Sequence, residues 1–264
     1  YYIPLRAIQN VSSADYLVSN FGYGRMPQRG ESATMWHTIG HDWAVELLEH
    51  ALRNEHIGHA YLFIGQEQIG KLTLATEFAA ALNCVGATPP CRECTACRRT
   101  FVGSHPDVLC ISPQNGRIKI EQIREMQRQT ALSPYEGRLR VCLINDLHTA
   151  TIEAANALLK TLEEPPARVV ILLTAVNQES LLPTVVSRCQ ILQLRPVPAA
   201  LIEQTLRRSE GQNAQRAADI SRWAAGRIGW ALTAARDPAV LSAYQKQTEG
   251  LLQILSQGGA ERMH

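Results

Sequence analysis

The sequence contains no apolar run long enough to cross a bilayer, and its first residues lack the basic, apolar and small-residue order of a secretory signal. It also has little excess charge, since 26 lysines and arginines against 24 aspartates and glutamates leave a formal net charge of +2. So small a charge does not favour nucleic acid or a membrane as a direct partner, although a local basic face could be hidden in the average. We therefore expect a cytoplasmic protein with no membrane partner.

Hydrophobic residues make up 45% and charged residues 19% of the 264 residues, which is typical of a globular protein with one large or two modest domains. Residues 1–34 carry no sustained helical or strand period, whereas a well-patterned segment starts at Met35. Because the chain opens on Tyr1, we interpret residues 1–34 either as a non-native extension translated ahead of the natural start or as a disordered N-terminal tail.

The most informative stretch is HAYLFIGQEQIGK at 59–71, in which a short apolar run leads into a glycine-bounded loop and then a helical pattern. Strand, loop and helix in this order are typical of the phosphate-binding P-loop. Gly65 and Gly70 let backbone N–H groups approach a polyphosphate, and Lys71 and the helix N-terminus add positive potential. The next residue is Leu72, where the motif requires a Ser or Thr hydroxyl to bind Mg²⁺.

Four of the seven cysteines cluster just after this unit, spaced as Cys84-x6-Cys91-x2-Cys94-x2-Cys97. Thiolates at such spacing can surround Zn²⁺ tetrahedrally. A closed set of four thiolates with no activating histidine nearby favours a structural zinc knuckle at 84–97 over a redox or iron–sulfur role. In a reducing compartment, clustered cysteines are expected to bind metal rather than form disulfides.

Five short apolar runs predict β-strands, at 60–64, 107–111, 139–144, 169–174 and 190–194. Because helical segments separate them, we predict an α/β fold with a five-stranded parallel sheet covered by helices on both sides. Asn145 and Asp146 follow the third strand, where P-loop ATPases hold Mg²⁺ and activate water. Asn145 has no charge to offer a metal shell.

The segment RPVP at 195–198 predicts a joint at the end of the α/β core, which we assign to residues 35–197. Everything beyond it has a helical pattern. We predict a small all-α domain at 198–236 and the start of a further helical domain at 237–264.

Several segments together resemble one family: HAYLFIGQEQIGK, the four-cysteine knuckle, EAANALLKTLEEPP at 153–166 and LLPTVVSRCQ at 181–190. In this combination the chain is similar to the bacterial clamp-loader subunits of the AAA+ class. The resemblance implies an AAA+ P-loop NTPase fold, a helical lid at 198–236 and, at 237–264, the start of a collar that is truncated in this sequence. It also implies an assembly that uses ATP to load a sliding clamp onto primed DNA for DNA polymerase III. The implied partners are the other clamp-loader subunits (gamma/tau and delta), the sliding clamp and primed DNA.

The resemblance also implies roles for individual residues. The positions that match the family's nucleotide site are Gly65 and Gly70, Lys71, Asn145 and Asp146, and Thr174 of the sensor strand. Arg188, within the sequence SRC, matches the arginine finger. In this family that arginine reaches the ATP of a neighbouring subunit and stabilises charge on its γ-phosphate.

Three positions depart from the hydrolysing members of the family. Leu72 replaces the Mg²⁺-binding hydroxyl, Asn145 replaces an aspartate, and Gly229 stands where the motor subunits carry a sensor arginine. Phosphoryl transfer depends on positioning and charge, so losing all three should cost several kcal/mol of transition-state stabilisation. We expect no intrinsic ATPase activity, weak or absent ATP binding and no Mg²⁺, with Arg188 acting on a neighbour's ATP.

Two other interpretations remain open. The first is an active motor-type ATPase in which Thr73 reaches Mg²⁺, although a shift of one residue turns a helical side chain by about 100° and so away from the metal. The second is a nucleic-acid binder that uses the zinc knuckle, whose local cations are Arg92, Arg98 and Arg99.

Overall fold

The computed structural model describes residues 35–248. The predicted extension at 1–34 and residues 249–264 of the predicted collar lie outside the described residues. The chain divides after Arg195 into two compact units, which are described separately. Between residues 35 and 248, no helix combines the length and apolar character that a membrane span needs.

The first unit alternates strands and helices. Its elements are α1 (Asp42–Arg53), β1 (Ala60–Ile64), α2 (Lys71–Leu82), α3 (Thr95–Phe101), β2 (Val108–Ile111), α4 (Ile120–Thr130), β3 (Arg140–Ile144), α5 (Ile152–Glu163), β4 (Val169–Ala175), α6 (Pro183–Val186) and β5 (Gln190–Gln193). A 3₁₀ turn, Leu147–Thr149, separates β3 from α5. All five predicted strands are present, and their bounds differ from the predicted ones by at most one residue.

The strands form one sheet in the order β2-β3-β4-β1-β5, and every neighbouring pair is parallel. This confirms the predicted five-stranded parallel sheet. β1 lies between β4 and β5, with Phe63 in register with Thr174 on one side and Leu192 on the other. Since parallel strands end at the same edge, the loops after β1, β3 and β4 all open at one edge of the sheet.

Hydrophobic side chains cover both faces of the sheet, because alternate residues of a strand point to opposite sides. On one face, α1 and α2 cover Tyr61, Phe63, Val141, Leu143, Val170 and Leu172. On the other face, α4 and α5 cover Leu62, Ile64, Cys142, Ile144, Ile171 and Leu173. Burial on both sides explains why these strands are continuous apolar runs in the sequence.

The second unit is helical. It contains α7 (Ala199–Ser209), α8 (Ala214–Ala224), α9 (Ile228–Arg236) and a helical stretch at 238–248. Tyr244, from the segment predicted as the collar, packs against Trp223 and Trp230 with ring centroids 5.9 Å and 5.2 Å apart. This aromatic contact joins the 238–248 stretch to α8 and α9.

A buried carboxylate fixes the loop between α4 and β3. Asp107, just before β2, is fully buried and accepts hydrogen bonds from the backbone N–H groups of Tyr135, Glu136 and Gly137 at 2.7, 2.9 and 2.8 Å. Arg140 Nη2 lies 3.0 Å from its Oδ1. Burial by itself would raise the pKa of Asp107, but these N–H groups and Arg140 outweigh it and hold the pKa below its usual range.

We predict that Asp107→Ala lowers the free energy of unfolding by about 3–5 kcal/mol, because it leaves Arg140 buried without its counter-ion. Urea titration followed by circular dichroism measures the loss. In the parent protein, the stabilisation by ionised Asp107 is fully present above the unfolded-state pKa of this residue. It is lost as the pH falls through the lower folded-state pKa. Glu125→Ala, which removes an exposed partner of Arg128, is the control. Equal free energies of unfolding for Asp107→Ala and Glu125→Ala would contradict the prediction.

Candidate nucleotide site and zinc knuckle

The loop between β1 and α2, residues 65–70, is the candidate phosphate loop and requires glycine at both ends. A Cβ on Gly65 would lie 2.9 Å from the carbonyl oxygen of Leu194, which follows β5. Gly70 adopts φ +112° and caps the N-terminus of α2. Only glycine adopts these conformations without strain. The loop can therefore turn tightly and present the N-terminus of α2, as a phosphate-binding loop does.

Lys71, the first residue of α2, binds its own loop. Its Nζ donates to the carbonyl oxygens of Gly65 at 2.7 Å and Gln66 at 2.9 Å, and only 6% of the residue is exposed. Burial lowers the pKa of Lys71, while the nearby carboxylates of Asp146 and Glu67 oppose this shift. A phosphate that bound here would have to replace the contacts between the ammonium and the loop carbonyls.

Asn145 and Asp146, after β3, form a closed set of hydrogen bonds with Thr174 of β4. The Thr174 hydroxyl donates to Asn145 Oδ1 at 2.7 Å and accepts from the backbone N–H of Asp146 at 2.9 Å. Asn145 Nδ2 donates to Asp146 Oδ2 at 2.9 Å. Burial raises the pKa of Asp146, against the effect of His148 and Lys71. Both the oxygen and the nitrogen of the Asn145 side-chain amide are thus hydrogen-bonded within the protein.

The fold therefore brings Lys71, Asp146 and Thr174 to the same edge of the sheet, as expected for a P-loop site. Leu72 packs in part against the hydrophobic core beneath the loop. The edge offers one half-buried carboxylate, that of Asp146, and no negative charge at Asn145. These groups resemble a nucleotide site without the full set of Mg²⁺ ligands that hydrolysis needs.

Arg188 lies between α6 and β5, and none of its described contacts is with the phosphate loop. Its Nη2 is 2.8 Å from Oε1 of Glu163, the last residue of α5. Its Nη1 donates to the carbonyl oxygen of Thr184 at 2.8 Å and to Ser187 Oγ at 3.3 Å. Gly229 lies in α9 of the second unit.

The four predicted metal ligands come together: the Sγ atoms of Cys84, Cys91, Cys94 and Cys97 all lie within 4.8 Å of one another. Tetrahedral zinc with bonds of about 2.3 Å would bring these sulfurs to about 3.8 Å apart. Backbone N–H groups donate to three of the sulfurs at 3.3–3.4 Å. The cluster also packs beside α2, because Cys84 and Cys97 contact Ala80 and Phe101.

The pKa shifts of the thiols in the cluster differ. Burial raises the pKa of Cys84 and of Cys97. For Cys94, N–H donors from Cys97 and Val85 outweigh burial and lower the pKa to about 6, which fits a metal ligand. Four sulfurs and no other donor match the set that structural zinc takes. Zinc held by them would join the two ends of the segment 84–97.

The sequence did not reveal what Arg92 of the knuckle does. Its guanidinium forms an ion pair with Glu77, a fully buried residue of α2, and lies 4.3 Å from the centre of the Phe101 ring. Glu77 also accepts from the backbone N–H groups of His37 and Thr38 at 2.7 and 3.1 Å. One buried carboxylate therefore joins the knuckle, α2 and the segment before α1. The one charged residue in the run LATEFAAAL was the only signal in the sequence.

A cleft of about 600 Å³ lies away from these groups, at the edge where the strands begin. Its lining includes His59, Arg138 and Arg168. Ligands of parallel sheets bind at the carboxyl ends of the strands. We therefore place the candidate site at the phosphate loop and not in this cleft.

Residues 40–198 match the family described as "DNA polymerase III, delta subunit". The chain belongs to this family. It is 34% identical to the DNA polymerase III subunit delta' of Bacillus subtilis over 163 residues, which cover 61% of this chain and 50% of that protein. It is 38% identical to the delta' subunit of Pseudomonas aeruginosa over 146 residues, covering 54% and 44%. These matches confirm the resemblance that the motifs indicated.

The tau/gamma subunit of Haemophilus influenzae is a further relative, 35% identical over 186 residues that cover 70% of this chain and 27% of that protein. The chain thus spans half or less of the length of these relatives. Among solved structures, the RuvB Holliday junction branch migration motor of Thermotoga maritima superposes with a TM-score of 0.52 at 16% identity, covering 81% of this chain and 72% of that one. This likeness concerns the fold alone and supports the AAA+ architecture of this DNA polymerase III family member.

We predict that the purified family member contains one zinc ion per chain, and that a strong chelator lowers its thermal unfolding midpoint, because the metal joins the ends of the knuckle. Cys97→Ser should abolish stoichiometric zinc, measured by elemental analysis. Cys189→Ser, outside the cluster, is the matched control and should retain it. A metal-free protein whose unfolding does not respond to the chelator would show that the cluster is not a zinc site.

A second prediction concerns Arg92. Arg92→Ala should lower the free energy of unfolding by about 3–5 kcal/mol, because Glu77 would remain buried without its counter-ion. Hydrogen exchange should speed up at the amides of His37 and Thr38, which Glu77 holds. Arg98→Ala, an exposed neighbour in α3, is the control. If the amides of His37 and Thr38 exchange at the same rate in both variants, Arg92 does not hold the segment before α1.

Proposed function

We propose that this chain is a subunit of the DNA polymerase III clamp loader that supports ATP-driven loading of the sliding clamp onto primed DNA without hydrolysing ATP itself. In this proposal it acts in the cytoplasm and assembles with the gamma/tau and delta subunits, and Arg188 serves as an arginine finger for a neighbouring subunit's ATP. Family membership and the delta' and tau/gamma relatives support the general role.

The observation that carries the non-hydrolysing part is the closed set of hydrogen bonds around Asn145. Its amide is committed to Asp146 and Thr174, and it carries no charge with which to hold a metal ion. Leu72 adds an apolar side chain at the position of the hydroxyl ligand. Without Mg²⁺ in place, charge that develops on the phosphates is not neutralised, so the chemical step is disfavoured.

The contacts of Lys71 support weak or absent ATP binding. Its ammonium already has two carbonyl partners in its own loop. A nucleotide gains from this lysine only the difference between the new contacts and those it replaces. The glycine-bounded backbone remains able to receive a phosphate, so a low affinity for ATP is compatible with the proposal.

The contacts of the knuckle arginines do not favour direct nucleic-acid binding. Arg92 is paired with Glu77, and Arg99 Nη1 lies 2.7 Å from Oε1 of Glu136. A nucleic-acid surface needs cations that are available to phosphates. Two of the three arginines near the knuckle are instead engaged within the fold.

Steady-state ATP hydrolysis tests this function. The purified full chain should show none, and its assembly with a tau/gamma subunit should hydrolyse ATP. Arg188→Ala in that assembly should remove hydrolysis at the one site that Arg188 faces, because loss of an arginine finger lowers kcat by about 10³–10⁵-fold. Arg124→Ala, an exposed arginine of α4, is the control for a lost surface charge.

Two results would overturn the proposal. Turnover by the isolated chain that Lys71→Ala abolishes would make it an active motor-type ATPase. Unchanged hydrolysis in the Arg188→Ala assembly would remove the arginine-finger role.

A further inference from the structure

We propose that Glu163 is a positioning residue, which holds the guanidinium of Arg188 in the orientation from which it reaches the neighbouring subunit's γ-phosphate. This inference rests on the proposed role of Arg188. The two residues are 25 positions apart in the sequence, on α5 and after α6. The fold alone makes them neighbours.

The guanidinium is oriented from two sides. Glu163 Oε1 lies 2.8 Å from Nη2, and the carbonyl oxygen of Thr184 accepts from Nη1 at 2.8 Å. Ser187 Oγ accepts a longer bond from the same Nη1. A planar guanidinium held at both terminal nitrogens cannot rotate freely about its last bonds.

The contacts leave part of the guanidinium available. Arginine has five N–H donors. The described hydrogen bonds of Arg188 use those on Nη1, while Nη2 is in an ion pair with Glu163. Within residues 35–248, no described hydrogen bond uses Nε or Nη2, whose N–H groups lie side by side. A phosphate oxygen pair is bound by such an adjacent set of two N–H groups. Glu163 therefore orients Arg188 without using all of its donors.

Stability of α5 does not explain the position of Glu163. It is the last residue of the helix, where the negative end of the helix dipole disfavours a carboxylate. The positive charge of Arg188 compensates for this cost. Glu164, the next residue, has no described ion pair and so provides a matched comparison within the same helix end.

Glu163 and Arg188 both lie close in sequence to residues that are buried in the hydrophobic core. Leu162, beside Glu163, and Val185, in α6, are 2% and 1% exposed and belong to the same hydrophobic cluster. The side chains of Arg188 and Glu163 themselves remain accessible, because 34% and 50% of them are exposed. An ion pair this exposed shifts the population of one orientation by about two- to fivefold, and its carboxylate can yield when a triphosphate arrives.

The test uses the full chain assembled with a tau/gamma subunit. Glu163→Gln should lower kcat for ATP at the site served by Arg188 by about two- to fivefold, with KM for ATP unchanged, because ATP binds the neighbour and not this chain. Glu163→Asp should recover part of the loss. Glu164→Gln should match the parent assembly in kcat, and both glutamine variants should unfold at the same temperature.

A double variant separates the outcomes. In an Arg188→Ala background, Glu163→Gln should have no further effect, since its action passes through Arg188. Suppose that Arg188→Ala lowers kcat, but that Glu163→Gln has the same kcat as Glu164→Gln or a higher one. The positioning role of Glu163 is then wrong, while the arginine-finger role of Arg188 is supported. A fall in kcat that persists in the Arg188→Ala background would also overturn it. If Arg188→Ala changes nothing, the proposed function itself fails.

Discussion

The parallel pairing of β1, β3 and β4 is the constraint on which the candidate site depends. The phosphate loop, Asn145 with Asp146, and Thr174 come from three separate parts of the sequence. They meet because each strand ends at the same edge of one sheet. β1 is held between β4 and β5 by parallel pairing on both sides. The position of Lys71 against Asp146 is thus a consequence of strand order.

At this edge the polar groups satisfy one another. Lys71 uses the carbonyl oxygens of its own loop, and Asn145 shares its amide between Asp146 and Thr174. Buried polar groups need partners, and here the partners are supplied within the chain. An aspartate in place of Asn145 would lose the N–H group that Asp146 accepts from and would put two carboxylates side by side. The local structure is therefore adapted to an amide at this position.

Two further interactions connect elements that are far apart in sequence. Glu77 joins the knuckle to the helix of the phosphate loop through Arg92, in the dry interior, where an unpaired charge is costly. Glu163 holds Arg188 at the surface, where pairing is weak and reversible. The two pairs differ in burial: the buried pair can stabilise the fold, whereas the exposed pair can exchange partners.

The sequence by itself determined the five strands, the sheet's parallel character, the glycine-bounded loop and the four clustered cysteines. Each of these follows from local pattern: apolar runs of strand length, glycine at fixed spacing, or thiols within a few residues. Only the tertiary structure decided which charges meet. Arg92 and Glu77 are 15 residues apart, Glu163 and Arg188 are 25 apart, and Asp107 reaches the backbone of Tyr135 across 28 residues. No local pattern encodes these pairings, because they depend on how helices pack over the sheet and on which side chains that packing removes from water.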